Sequence, residues 1–205
     1  MHLVVRAKIS GHPADVIQPE VWLARHGATD WSVALRHTGR SDIPLNDDGR
    51  AAARALGALL AGQHFDLVLT SPLRRALETC ALAGFGDRAI VTPDLREWDY
   101  GDYEGLTTNE IRAHHPGWDV FDDGCPNGET LASVGTRADH VIEAIRAVDG
   151  RVMLFAHGHI LRILAARWIE LPPVGGSRVV LGTATISVLG WERETAAITR
   201  WNSAG

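Results

Sequence analysis

The stretch "VWLARHGATDWS", Val21–Ser32, runs four apolar or small residues straight into Arg25 and His26, and then into Gly27. Val21 to Ala24 reads as a short buried strand. A strand that ends in two basic side chains and a glycine either leaves the core at that point or holds an anion there. Two other stretches repeat the pattern. "FDLVLTSPLRRA" is an apolar run ended by Ser71-Pro72 and followed by Arg74-Arg75, and "RVMLFAHGH" is a buried-type run that ends in His157, Gly158 and His159. Helical patterns separate these runs, so the spacing predicts an α/β fold with a mostly parallel central sheet sandwiched between helices.

The helices are read from their periodicity. In "PLNDDGRAAARALGALLAG", Leu56, Leu59 and Leu60 recur at helical spacing, with Asn46 as N-cap and Gly62 as stop. "LRRALETCALAGF" predicts a second helix, "RAIVTPDL" a short strand, and Arg96 to Glu129 a loop-rich middle with a helix at "TTNEIRAHH" closed by Pro116-Gly117. Val134, Ala138, Val141, Ile142, Ile145 and Val148 predict a long amphipathic helix. "ILRILAARWI" predicts a last helix, and "ATISVLGWE" and "AAITRW" two final strands. Trp22, Trp168, Trp191 and Trp201 fall on these elements as packing residues, whereas Trp31 and Trp98 flank the charged stretches.

A chain of 205 residues that is 45% hydrophobic is long enough for one well-filled domain, placed here at 20–205 after a leader at 1–19. A net charge of -5 argues against a general nucleic-acid binder. Cys80 and Cys125 fit neither a disulfide framework nor a zinc knuckle, and a cytoplasmic protein is expected. No apolar run approaches membrane-spanning length.

Ligands of open α/β sheets sit outside the carboxyl ends of the strands. If the three charged strand ends lie side by side, Arg25, His26, one of Arg74 or Arg75, and His157 converge. Helix N-termini would assist them, and the result is a pocket for a dianion such as phosphate.

The ordered set "RHGATDWS", "HTGRSDIPLNDDG", "TSPLRRALETC", "REWDYGDYEGLT", "DGCPNGET" and "AHGHILR" resembles the histidine phosphatase superfamily, of phosphoglycerate mutase-like fold, over about Val21 to Trp201. The resemblance implies a three-layer α/β/α sandwich and a metal-independent phosphomonoesterase with no cofactor. It implies His26 as the nucleophile, Arg25 and Arg75 as phosphate clamps, His157 as the second phosphate-binding histidine, and Glu97 as the acid. It places Ser32, Thr38 and Gly39 at further phosphate or substrate contacts, and Tyr100, Gly158, His159 and Arg162 on the substrate side. Arg74 then faces solvent. Ala28 stands where glutamate is common, and Ser32 where asparagine is common. Within the superfamily the set looks most like sedoheptulose bisphosphatase and bacterial acid phosphatases, so the implied substrate is a small sugar phosphate or bisphosphate. His37, which stands where those bisphosphatases often carry tyrosine, would line the mouth with His159. The rival readings are a phosphoglycerate mutase and a non-catalytic phospholigand-binding domain. A metal site built on the His157/His159 pair has poor chelate spacing.

Overall fold

A computed structural model of the chain describes residues 18–203, so the expected leader lies outside the described residues except for its last two. In chain order the elements are β1 (Glu20–Arg25), α1 (Asp30–Val33), α2 (Asp47–Leu60), β2 (Leu67–Thr70), α3 (Arg74–Leu82), β3 (Ile90–Val91), α4 (Thr108–Arg112), α5 (Val120–Asp123), α6 (Leu131–Arg146), β4 (Arg151–Ala156), α7 (Gly158–Trp168), β5 (Ile186–Glu192) and β6 (Thr195–Ser203). They build one six-stranded sheet in the order β3-β2-β4-β1-β5-β6. The first four of these strands are parallel. Strand β5 runs antiparallel to β1, and β6 antiparallel to β5.

Both faces of the sheet are covered, and β4 shows why its sequence is apolar throughout. Val152, Leu154 and Ala156 join the core shared with α6 and α7. Met153 and Phe155, which point the other way, join the core shared with α2 and α3. A strand buried on both faces needs no polar alternation, and burying each large apolar side chain contributes about 1.5–3 kcal/mol. The predicted layering is therefore the observed one.

Local signals explain the element ends. Asn46 caps α2 by accepting from Gly49 N at 2.8 Å, and Gly62 turns the chain at φ 80. Two short helices, α1 and α5, were absent from the sequence reading. Each is a single turn set by its cap: Thr29 and Ser32 form a reciprocal box, and Asp119 accepts from Phe121 N at 2.9 Å. The glycine of "RHG" also has a packing reason. A Cβ on Gly27 would overlap the Gly49 carbonyl, and one on Gly49 would overlap the Ala28 backbone. The chain leaving β1 is thus pressed against the first turn of α2.

Candidate active site

Strand β4 lies between β2 and β1, so the three charged strand ends are neighbours. His26 N donates to Ala156 O at 2.9 Å, and Ser71 N donates to Phe155 O at 2.9 Å. These bonds extend the sheet by one residue and bring His26, Ser71 and His157 to one edge. The imidazoles of His26 and His157 are 5.2 Å apart between ring centres.

His26 is buried, and its Nδ1–H donates to Gly27 O at 2.7 Å. A carbonyl only accepts, so this bond leaves Nε2 without a proton and with a free lone pair. Burial, followed by the positive charges of Arg25 and Arg75, holds the imidazole well below its ordinary value of 6.5 against the opposing bond to Gly27. Arg25 beside it donates Nη1–H to Leu181 O at 2.6 Å. Its Nε–H is buried with no partner. An unsatisfied buried cationic donor is costly unless an anion completes it.

Arg75 and His157 are fully buried. Arg75 donates Nε–H to His157 Nδ1 at 3.1 Å, Nη1–H to Ser41 O at 2.9 Å, and Nη2–H to Thr38 O at 2.9 Å and Gly39 O at 3.0 Å. One of its five N–H groups, on Nη1, is left over. Because Nδ1 of His157 accepts, Nε2 carries the proton, and it donates to Ser71 Oγ at 2.7 Å. Arg74 is exposed, as the resemblance implied.

Glu97 sits at the N-terminus of α7. Its Oε2 accepts from His159 N at 3.0 Å, and its Oε1 accepts from Ile160 N at 3.0 Å and Trp98 N at 2.9 Å. Asp42 similarly accepts from Arg74 N at 2.7 Å at the start of α3. Three of the amides at these helix N-termini, those of His159, Ile160 and Arg74, are therefore taken by the protein's own carboxyl groups. The cationic donor left without a partner at this edge is Arg25 Nε–H. Gly158 lies against Arg25 and Glu97, with Arg25 Cζ 3.5 Å and Glu97 Oε2 3.6 Å from the position its Cβ would take.

A cleft of about 300 Å³ is lined by Arg25, His26, Ser32, Thr38, Glu97, Tyr100, Gly158, His159 and Arg162. Leu35, Arg36, His37, Thr108 and Leu181 complete it. Ser32 borders the cleft, but its hydroxyl donates to Thr29 O and accepts from Thr29 N, both at 2.9 Å. Tyr100 Oη and His159 Nδ1 are hydrogen-bonded at 2.6 Å. Arg162 donates Nε–H to Gly176 O at 2.9 Å, and its guanidinium lies 4.9 Å from the Phe121 ring centre. Gly39 does not face this cleft. It holds Arg75, and a Cβ there would crowd Trp98 O, Glu104 and Tyr100. Sequence reasoning missed Ser71, Leu181, Arg36, Thr108 and Glu104. Ser71 and Glu104 stand in the motifs that carry the resemblance and Thr108 in the quoted "TTNEIRAHH", whereas Leu181 acts through a main-chain carbonyl that no side chain announces.

The sequence profile of the histidine phosphatase superfamily (branch 1) matches residues 21–204. The chain belongs to this superfamily. It is 45% identical over 174 residues to an acid phosphatase of Mycobacterium tuberculosis, covering 83% of this chain and 85% of that one. It is 35% identical over 188 residues to the sedoheptulose 1,7-bisphosphatase of Saccharomyces cerevisiae, covering 76% and 69%. A solved open reading frame product of Mycobacterium tuberculosis superposes with a TM-score of 0.84 at 40% identity, covering 90% and 97%. This histidine phosphatase is accordingly an enzyme acting on a small phosphate ester.

The "HGH" pair of this phosphatase is split between two tasks, His157 facing Arg75 and Ser71 and His159 facing Tyr100. Among the described residues no three His, Cys, Asp or Glu side chains cluster as metal ligands, and no helix is long and apolar enough to cross a membrane. Cys80 is buried and Cys125 half-buried. Burial pushes each thiol up to about 12, which keeps both protonated and unreactive.

The buried histidines predict a pH-dependent stability. His26, His157 and His159 are all held well below 6.5, chiefly by burial and then by neighbouring positive charge. Below pH 6.5 the unfolded chain binds protons that the folded chain refuses. Their contribution is therefore intact above that pH and is lost on acidification towards the folded values. Each group contributes a slope of about 1.4 kcal/mol per pH unit, so the three together reach about 4. Urea midpoints at constant m should fall between pH 7.5 and 5.5. A flat midpoint would show that these rings are not buried neutral.

Proposed function

We propose that the chain hydrolyses phosphomonoesters of small metabolites, sugar phosphates or bisphosphates, through a phosphohistidine on His26. The observation that carries this reading is the pairing of a tautomer-locked, proton-free Nε2 on His26 with the unpartnered Nε–H of Arg25. The Nε2 lone pair attacks phosphorus while the bond to the ester oxygen breaks. Glu97 gives its proton to the leaving alkoxide. In the second step the Glu97 carboxylate takes a proton from water, the water oxygen bonds to phosphorus, and the P–N bond breaks to return neutral His26 and inorganic phosphate. Arg25 supplies charge to the equatorial oxygens, and the spare Nη1–H of Arg75 and the Nε2–H of His157, held by Ser71 Oγ in the resting site, join it as the phosphoryl group transfers to His26.

The bisphosphate preference rests on a recess of about 220 Å³ that shares His37, Thr108, His159 and Arg162 with the main cleft and adds Ser177, the apolar Trp118, Val120 and Phe121, and one carboxylate, Asp119, which opposes a second anion. The Nη groups of Arg162 and the hydroxyls of Thr108 and Ser177 suit a second phosphate or sugar hydroxyls. The similarity to the yeast bisphosphatase supports the same choice.

The test is phosphate release from a panel of sugar mono- and bisphosphates and 3-phosphoglycerate with a chelator present. Bisphosphates should rank highest by kcat/KM. Transfer of phosphate between carbons of 3-phosphoglycerate without release would favour the mutase reading, and equal rates for mono- and bisphosphates would remove the second-phosphate subsite.

A further inference from the structure

Three main-chain carbonyls and a histidine take four of the five donors of Arg75. The carbonyls belong to Thr38, Gly39 and Ser41, in a segment with no regular structure of its own. Something must hold that segment, because a guanidinium is only as fixed as its acceptors. Glu104 does so. Its carboxylate accepts from Gly39 N at 2.9 and 3.0 Å through its two oxygens, and from Ser41 N at 3.0 Å through Oε1.

Glu104 is itself anchored on both sides. Its own N–H donates to Gly101 O at 3.2 Å. Gly105 N donates to His37 O at 2.8 Å, and His37 N donates to Leu106 O at 2.9 Å. Gly105 takes φ 77, and a Cβ there would press on Trp31. The "YEG" of the sequence is therefore a rigid post that places one carboxylate under the carbonyl cradle.

We propose that Glu104 is a positioning residue for phosphoryl transfer: through the 38–41 segment it fixes Arg75, and through Arg75 it fixes the Nε2–H tautomer and direction of His157. The inference rests on the phosphohistidine reading of the site. Arg75 and His157 do not line the open cleft. Of the 38–41 segment only Thr38 borders the cleft, and its hydroxyl donates to Arg36 O at 3.0 Å, so ground-state binding, made at Arg25, His37 and Arg162, is little affected by Glu104. The charge that spreads over the phosphoryl oxygens in the transition state is what Arg75 and His157 meet. A loose cradle thus lowers kcat and leaves KM in place.

The experiment compares wild type, Glu104→Ala and Glu104→Gln with p-nitrophenyl phosphate, using the pre-steady-state burst of nitrophenolate to count active sites. Glu104→Ala should keep the burst amplitude and lower kcat per site by up to about 100-fold, the cost of a misplacement of about 1 Å, with KM within about twofold. Glutamine retains an Oε1 that can accept from both Gly39 N and Ser41 N, so Glu104→Gln should recover most of the loss. Histidine ¹⁵N spectra give a readout apart from turnover. His157 should show a single Nε2–H tautomer in wild type and a mixture in Glu104→Ala. An unchanged kcat per site in Glu104→Ala, or a loss explained wholly by fewer active sites with the His157 tautomer intact, overturns the proposal. Wild type that releases no phosphate and forms no phosphoenzyme would instead sink the phosphatase chemistry on which it rests.

Discussion

His26→Ala is expected to lower kcat by at least about 10⁴-fold on every substrate, the scale seen when a covalent nucleophile is removed from a preorganised site. The size follows from what remains. Arg25 would still attract the phosphate, and Glu97 would still stand by the leaving oxygen. Water, however, would have to attack the ester directly, and the split of one difficult hydrolysis into two easier steps would be gone. KM should change far less than kcat, because the unpartnered Arg25 Nε–H is untouched by the substitution. Wild type quenched during turnover should carry an acid-labile phosphoryl group on His26, and the variant should carry none. The fold should survive, since His26 contributes one side-chain bond, to the adjacent Gly27. Retention of more than about one-hundredth of the wild-type kcat would mean that another group attacks phosphorus.

Much of this site was legible because parallel strands impose a shared edge. Once Val21–Ala24, "LVLT" and "MLFA" were read as strands separated by helices, the residues after them had to meet at their carboxyl ends. Register then brings His26, Ser71 and His157 together. The choice between Arg74 and Arg75 was open to spacing alone. It is decided by the first turn of α3, which points one arginine to solvent and buries the other. The sequence was silent where the main chain does the work. Nothing in the side chains of Thr38, Gly39 and Ser41 reveals that their carbonyls hold Arg75, and nothing in Leu181 reveals that its carbonyl holds Arg25. Single-turn helices escaped for a related reason, as four residues give no periodicity and only the cap pattern marks them. The sequence was equally silent on the reach of Glu97 and Asp42, distant in sequence from α7 and α3, to three of the helix N-terminal amides counted towards an anion site.

Glu97→Gln separates catalysis from capping through the leaving group. The carboxylate caps α7, and glutamine offers one oxygen where two were used, so the variant should lose about 1 kcal/mol of stability. Its chemical effect should be much larger and should depend on the ester. An alkoxide leaving from a sugar carbon needs a proton as the P–O bond breaks, and general acid catalysis is worth about 10² to 10⁴. Sugar phosphates should therefore lose about that factor in kcat/KM. Nitrophenolate is stable without the proton, so the first turnover of p-nitrophenyl phosphate should remain nearly as fast as in wild type. The second step still needs a base to activate water, and the glutamine amide is no base. Phosphohistidine should accumulate, giving a burst of one nitrophenolate per site followed by a slow steady state. Equal losses in burst rate for both kinds of ester would reduce Glu97 to a helix cap, because a displaced α7 would misplace Gly158 and His159 for any substrate. A preserved burst with collapsed turnover on p-nitrophenyl phosphate, together with a slowed first step on the sugar esters, would require that one carboxyl group gives the first proton and takes the second.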